Sequence, residues 1–248
     1  HRIINASSSP ALLLGGTTYT FSIILAVFLI GIGLGSSVGS FASRELARPR
    51  TALGIAQLLL VAAVAWAGWS VNSALPYWPI NPSLTEDPWM VFQVDLLRAL
   101  WTVLPAAMLW GASFPLALAS VASEGQDPGR MVGGVYAANT VGAIAGAVLF
   151  SIILIPSVGT QQSQRVLIVV AAVSGLLMLA LTWQEDSLTP QLRLSGAAWI
   201  LVAAAGAGLL AWTVRPVLPL LVAYGRFSAP RLNNHGDFIY VGEGMNSS

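Results

Sequence analysis

The chain has 248 residues, a formal net charge of +1, 56% hydrophobic residues and only 8% charged ones. Soluble globular domains carry about 25% charged residues, so this composition excludes a water-soluble monomer. The absence of cysteine excludes a disulfide framework, a thiolate zinc site and a cysteine nucleophile, and the eleven basic residues, all arginine, form no patch that points to nucleic acid.

The first residues, His1 to Pro10, are polar and lack the basic start and apolar centre of a signal peptide. Because the chain does not begin with Met, a fragment is expected. An uncharged apolar block then runs from about Ala11 to Ser43, too long for one straight span of ~20 residues, and a helix is predicted near Thr18 to Phe41. Further apolar blocks cover Thr51 to Val71, Ala99 to Ala122, Met131 to Pro156 and Val166 to Trp183. The last begins near Ala197 and fades where Pro216 and Pro219 interrupt it. Between the second and third blocks, Asn72 to Asp95 is polar and proline-rich, with Trp78 and Trp89 suited to a membrane–water interface. The tail from Gly225 changes character. Alternation through Asp237-Phe238-Ile239-Tyr240-Val241, then Gly242-Glu243-Gly244, predicts a strand and a turn.

These elements predict an all-α polytopic transmembrane bundle of about six helices with a short β-like soluble tail. The division is a polar segment over 1–15, a helical membrane domain over 16–224, and the start of a soluble domain over 225–248. The expected setting is a multi-pass protein of the bacterial plasma (inner) membrane, with the lipid bilayer as its main partner. Arg44, Arg48 and Arg50 place the loop after the first helix on the cytoplasmic side. Alternation then puts Arg130 inside, Arg165 outside, Arg193 inside and the tail outside, although Arg215 leads into the tail and Arg226 and Arg231 lie in it. A re-entrant last block, a helix count off by one, or a truly external tail would each resolve that conflict.

Small residues recur every fourth position at Gly31, Gly35 and Gly39, and again at Gly134, Ala138, Gly142 and Gly146. Residues four apart share one helix face, where small side chains let helices approach closely in lipid. Packing within the bundle or against a second copy is expected there, and a substrate path is the alternative. Pro115 is expected to kink the third helix. Asn139 is the most polar residue deep in a predicted helix and Tyr136 shares its face. With Gln161 and Gln162, they are the candidate intramembrane polar contacts, either across helices or to a ligand. No ionisable group lies near the middle of a predicted span, which weakens a proton-coupled carrier. His1 and His235 suggest no metal pair, and no HExxH, GxSxG or Walker-type loop is present.

Several stretches resemble one family. Gly16-Thr17-Thr18-Tyr19-Thr20-Phe21-Ser22, the run Ala26 to Ser36, and Trp110-Gly111-Ala112-Ser113-Phe114-Pro115-Leu116 are similar to the membrane part of bacterial fused spermidine synthase-like proteins. The strongest match runs from Gly129-Arg130 through Tyr136-Ala137-Ala138-Asn139-Thr140 to Gly146, and continues through Ile155-Pro156-Ser157-Val158-Gly159-Thr160-Gln161. The resemblance covers most of residues 16 to 180. It implies a helical region related to half of a major-facilitator-type transporter, followed by a cytosolic aminopropyltransferase-like domain of doubly wound α/β fold. That domain would bind decarboxylated S-adenosylmethionine and putrescine. The loop Gly39 to Arg50 looks like the basic cytoplasmic loop of such transporters, and Phe238 to Gly244 looks like the first strand and turn of the synthase domain. The glycine-rich turn and acidic cleft that the transfer needs do not follow before Ser248, so no catalytic, cofactor or metal residue is carried over. This chain alone is expected to be inactive, with polyamine or decarboxylated S-adenosylmethionine as partners only through the missing domain. The alternatives are a half-transporter for a small molecule such as a polyamine, and a structural anchor.

Overall fold

The computed structural model describes residues 9–75, 78, 87–122, 127–186 and 190–216. The strand and turn expected between Asp237 and Gly244 lie outside the described residues, as do positions 1–8 of the N-terminal segment. Among the described residues the chain is all-helical, and no strand occurs.

Helix α1 spans Ser9–Glu45 and α2 spans Pro49–Trp69. Pro49 starts α2 because its fixed φ suits the first turn and its missing N–H is not needed there. The last turn of α2 widens into a π-helical turn over Ser70–Ala74. Helix α3, Pro88–Val121, begins well before the apolar block that predicted it. The Asp87 carboxylate accepts from the Trp89 N–H at 3.0 Å and caps this early start. The polar residues Asp95 and Arg98 are tolerated because they pair at 3.3 Å one turn apart. Phe92, Leu96 and Leu100 meanwhile pack with Tyr19, Ile23 and Val27 of α1. Hydropathy found the apolar part of α3 and missed its amphipathic beginning.

Helix α4, Pro128–Val148, starts in the same way, with Asp127 accepting from the Gly129 N–H at 3.0 Å. A π-helical turn over Leu149–Leu154 leads into α5, Ile155–Asp186. Gly159 sits at φ 79°, the left-handed side that only glycine adopts freely, and breaks the helical path. The apolar run from Gly129 to Thr182 has 54 residues, ~80 Å as a straight helix, and the break divides it. Helix α6 spans Pro190–Thr213.

The packing order follows from the contacts. α1 and α3 run parallel: Ile23 packs with Ala99 and Gly39 faces Ala112. α2 runs against α3, with Arg50 Nε donating to the Ser120 carbonyl at 2.9 Å near one end and Trp66 reaching Trp101 near the other. α5 runs against α2, since Gly54 faces Leu179 while the Gln164 amide donates to the Val64 carbonyl at 2.8 Å. The largest core cluster joins α2, α3, α5 and α6 through Val61, Ala106, Ile168 and Ala207.

Both prolines inside α3 free a carbonyl four residues earlier. Pro105 removes the partner of the Trp101 carbonyl, and the Trp66 indole N–H of α2 donates there at 3.1 Å. Pro115 removes the partner of the Gly111 carbonyl, and the Ser36 hydroxyl of α1 donates there at 3.0 Å. Neighbouring helices thus supply the bonds that proline takes away, as an interior without water requires.

Many large apolar side chains face outward, including Leu29, Phe41, Leu201 and Trp212. Among the described residues, four helical stretches are long and apolar enough to cross a membrane: Tyr19–Glu45, Pro49–Ala74, Pro88–Val121 and Gly129–Thr182. Ala198–Thr213 is a shorter apolar helix.

Candidate functional site: a cleft beside α4 and the polar end of α6

The two glycine rows meet different surroundings. A Cβ on Gly31 would lie 2.6 Å from Ala107 Cβ, and one on Gly39 would lie 2.7 Å from Ala112 Cα. A Cβ on Gly35 would overlap the Met108 carbonyl, and one on Gly111 of α3 would overlap the Ile32 carbonyl. The α1–α3 seam is therefore a backbone-to-backbone approach that no larger side chain fits. At Gly134, Gly142 and Gly146 of α4, an added Cβ would meet nothing within 4 Å among the described residues.

Between α4 and the α1–α3 pair lies a cleft of about 870 Å³. Phe28, Trp110, Phe114 and Tyr136 line it, together with Asn139 and Gly142. The Phe114 and Tyr136 rings meet edge to face at 4.8 Å, and Phe28 meets Trp110 in the same way at 6.1 Å. Tyr136 and Asn139 come together here because they lie three residues apart on α4. Ser36 also borders the cleft, but its hydroxyl is committed to the Gly111 carbonyl. Asn139 is thus the amide available to a guest, and the aromatic walls suit a small molecule with apolar or cationic groups.

Gln161 and Gln162 serve elsewhere. The last carbonyls of a helix have no partner within it, and α5 supplies partners for those of α6. The Gln161 amide donates to the Val214 carbonyl at 2.8 Å. The Arg165 guanidinium donates to the Ala211 and Val214 carbonyls, each at 3.1 Å, and reaches the Gln162 amide oxygen at 3.5 Å. A cation at a helix C-terminus also opposes the negative end of the helix dipole. Arg165, placed in a loop by hydropathy, is a helical residue of α5 and the main tie between α5 and the end of α6. Only its position after Gln161-Gln162, ahead of an apolar run, hints at this role. Gln164 likewise has no marked sequence signal, although it fills the space opposite Gly68 and bonds α2.

Charge divides between the two ends. Arg44, Arg48, Arg50 and Arg130 lie where α1 meets α2 and where α4 begins; Arg165 and Arg215 lie at the opposite end, with Asp87, Asp95 and Arg98.

No family profile matches the chain, and no solved structure matches it. The chain is 29% identical over 203 residues to a protein named polyamine aminopropyltransferase 2 from Streptomyces coelicolor. The match covers 77% of this chain and 32% of that protein, so the chain spans about a third of the length of this curated relative. Over most of its length, then, the chain is distantly similar to a polyamine aminopropyltransferase.

Proposed function

We propose that this chain is the membrane-spanning region of a spermidine synthase-like protein of the bacterial plasma membrane. The parent would transfer an aminopropyl group from decarboxylated S-adenosylmethionine to putrescine. The observation that carries this reading is the similarity to a polyamine aminopropyltransferase across 77% of the chain, which takes in most of the helices. The outward-facing apolar side chains and the four long apolar helices support a bilayer as their surroundings. On this reading α4 and α5 cross separately and the bundle resembles a half-transporter of six helices.

The transfer needs carboxylates that hold cationic amines and a base for the attacking amine. Three acidic side chains of the helices and their caps have structural tasks: Asp87 and Asp127 cap α3 and α4, and Asp95 pairs with Arg98. The reading therefore assigns the chemistry to a part of the parent outside these helices, with the helices as its anchor.

The test is aminopropyl transfer to putrescine by membranes that carry the full-length gene product, beside membranes that carry residues 1–248 only. Spermidine formation by the first and none by the second is expected. Spermidine from residues 1–248 alone, or none from a well-folded full-length protein, would overturn the assignment. A second reading, a half-transporter for a small amine, draws on the cleft around Tyr136 and Asn139. Protein-dependent putrescine flux in sealed vesicles of the same membranes would favour it.

A further inference from the structure

The π-helical turn at the end of α2 carries two polar side chains that are almost wholly buried. Ser70 is 0% exposed and Asn72 is 7% exposed. Such turns depart from regular α-helical bonding and recur at functional sites. Asn72 Nδ2 donates to the Arg215 carbonyl at 3.3 Å. Asn72 Oδ1 and Ser70 Oγ, however, have no hydrogen-bond partner among the described residues. A buried acceptor without a donor is costly, and native proteins seldom leave one in that state.

Asn72 lines a pocket of about 410 Å³ between the ends of α2 and α6. Trp69, Ser73, Trp212 and Arg215 also line it. Its chemistry has two poles. Asn72 Oδ1 asks for a hydrogen-bond donor. Arg215, exposed at the rim, offers a guanidinium to an anion. The flanks are indoles, with Trp69 51% exposed and Trp212 80% exposed. Indoles of this kind settle at the level of lipid headgroups.

We propose that this pocket binds a phospholipid headgroup. The phosphodiester accepts from Arg215, and an N–H or O–H of the headgroup donates to Asn72 Oδ1. The indoles flank the glycerol and the first carbons of the acyl chains. A phosphodiester is a monoanion that one guanidinium can match. Free inorganic phosphate is more highly charged and lacks the apolar part that the tryptophans would cover. The proposal rests on the membrane-spanning reading, which places the ends of α2 and α6 at a bilayer surface.

The test uses the whole chain in nanodiscs of an equimolar mixture of phosphatidylcholine, phosphatidylethanolamine and phosphatidylglycerol. Lipid retained on release from the nanodisc is read by native mass spectrometry. Choline has neither N–H nor O–H, so the wild type should retain the other two lipids about tenfold better, one hydrogen bond to an otherwise unpaired group. Asn72→Leu should erase that preference. Arg215→Ala, at an exposed site that the fold tolerates, should lower retention of all three lipids about tenfold. Equal retention of the three lipids by the wild type, or full retention by Arg215→Ala, would overturn the proposal. Displacement of the lipid by added inorganic phosphate would also overturn it, in favour of a soluble anion. Failure of the chain to enter the bilayer sinks the membrane-spanning reading together with the site, whereas entry without lipid preference sinks the site alone.

Discussion

Replacing Gly35 by leucine is expected to unseat α1 from α3 and to lower stability by about 3 kcal/mol, the upper range for overpacking a tight site. A Cβ at Gly35 alone would overlap the Met108 backbone carbonyl, and a backbone atom cannot turn aside as a flexible side chain can. The helices would have to separate along the seam. That would pull the Ser36 hydroxyl from the Gly111 carbonyl that Pro115 leaves without its helical partner. Thermal unfolding of the detergent-purified protein, followed by its native tryptophan emission, should show a midpoint lower by roughly 10 °C. Gly142→Ala is the control, because its new Cβ meets nothing within 4 Å among the described residues and alanine favours the helix by ~1 kcal/mol. The seam fails as the explanation if Gly35→Leu melts with the wild type, or if both variants fall equally. Loss of a higher assembly in Gly142→Ala without loss of folding would mean that the open face of α4 meets a second copy.

Arg165→Met should be nearly as damaging, at about 2–3 kcal/mol, because bonds from charged donors in poorly hydrated surroundings are the strong ones. Methionine keeps much of the stem's bulk and removes the guanidinium. The carbonyls of Ala211 and Val214 would then lose their Arg165 bonds, leaving Gln161 as the remaining α5 side chain on Val214. The end of α6 should fray, with faster proteolysis after Thr213 and a lower melting midpoint. Gln162→Ala provides the comparison, since its amide oxygen lies 3.5 Å from Arg165 and is exposed, and a change of a few tenths of a kcal/mol is expected. Equal midpoints for Arg165→Met and the wild type would show that other contacts hold α6 to α5.

Several features were legible in the sequence because each rests on local chemistry. Long uncharged blocks gave the helices, and Asp-Pro pairs at Asp87-Pro88 and Asp127-Pro128 mark their starts once the caps are seen. The spacing of Gly31, Gly35 and Gly39 marks a face of small residues, but the pattern alone does not name its partner. That partner is α3, distant in sequence and parallel to α1. The same spacing on α4 has no such neighbour within the described residues, which shows that a small-residue row is a local property and its partner a tertiary one. Gln161 and Gln162 share a polar character with Tyr136 and Asn139, yet the fold sends the first pair to the end of α6 and the second to the cleft. The early start of α3 was hidden because Gln93, Asp95 and Arg98 lower the hydropathy of a segment whose other face is apolar. Arg165 was hidden for a related reason: an average over a window sees a charge and cannot see the carbonyls it meets.

The most direct test of the membrane-spanning assignment uses the absence of cysteine, which makes any introduced thiol the only one in the chain. Three single variants suffice: Ala47→Cys between α1 and α2, Trp89→Cys at the start of α3, and Val173→Cys on the outward face of α5. In intact spheroplasts a membrane-impermeant maleimide should label Trp89→Cys and neither of the others. After lysis Ala47→Cys should react as well, while Val173→Cys, surrounded by lipid, should stay unlabelled. Labelling of Ala47→Cys and Trp89→Cys from the same side, or rapid labelling of Val173→Cys, would contradict a bundle that crosses the membrane.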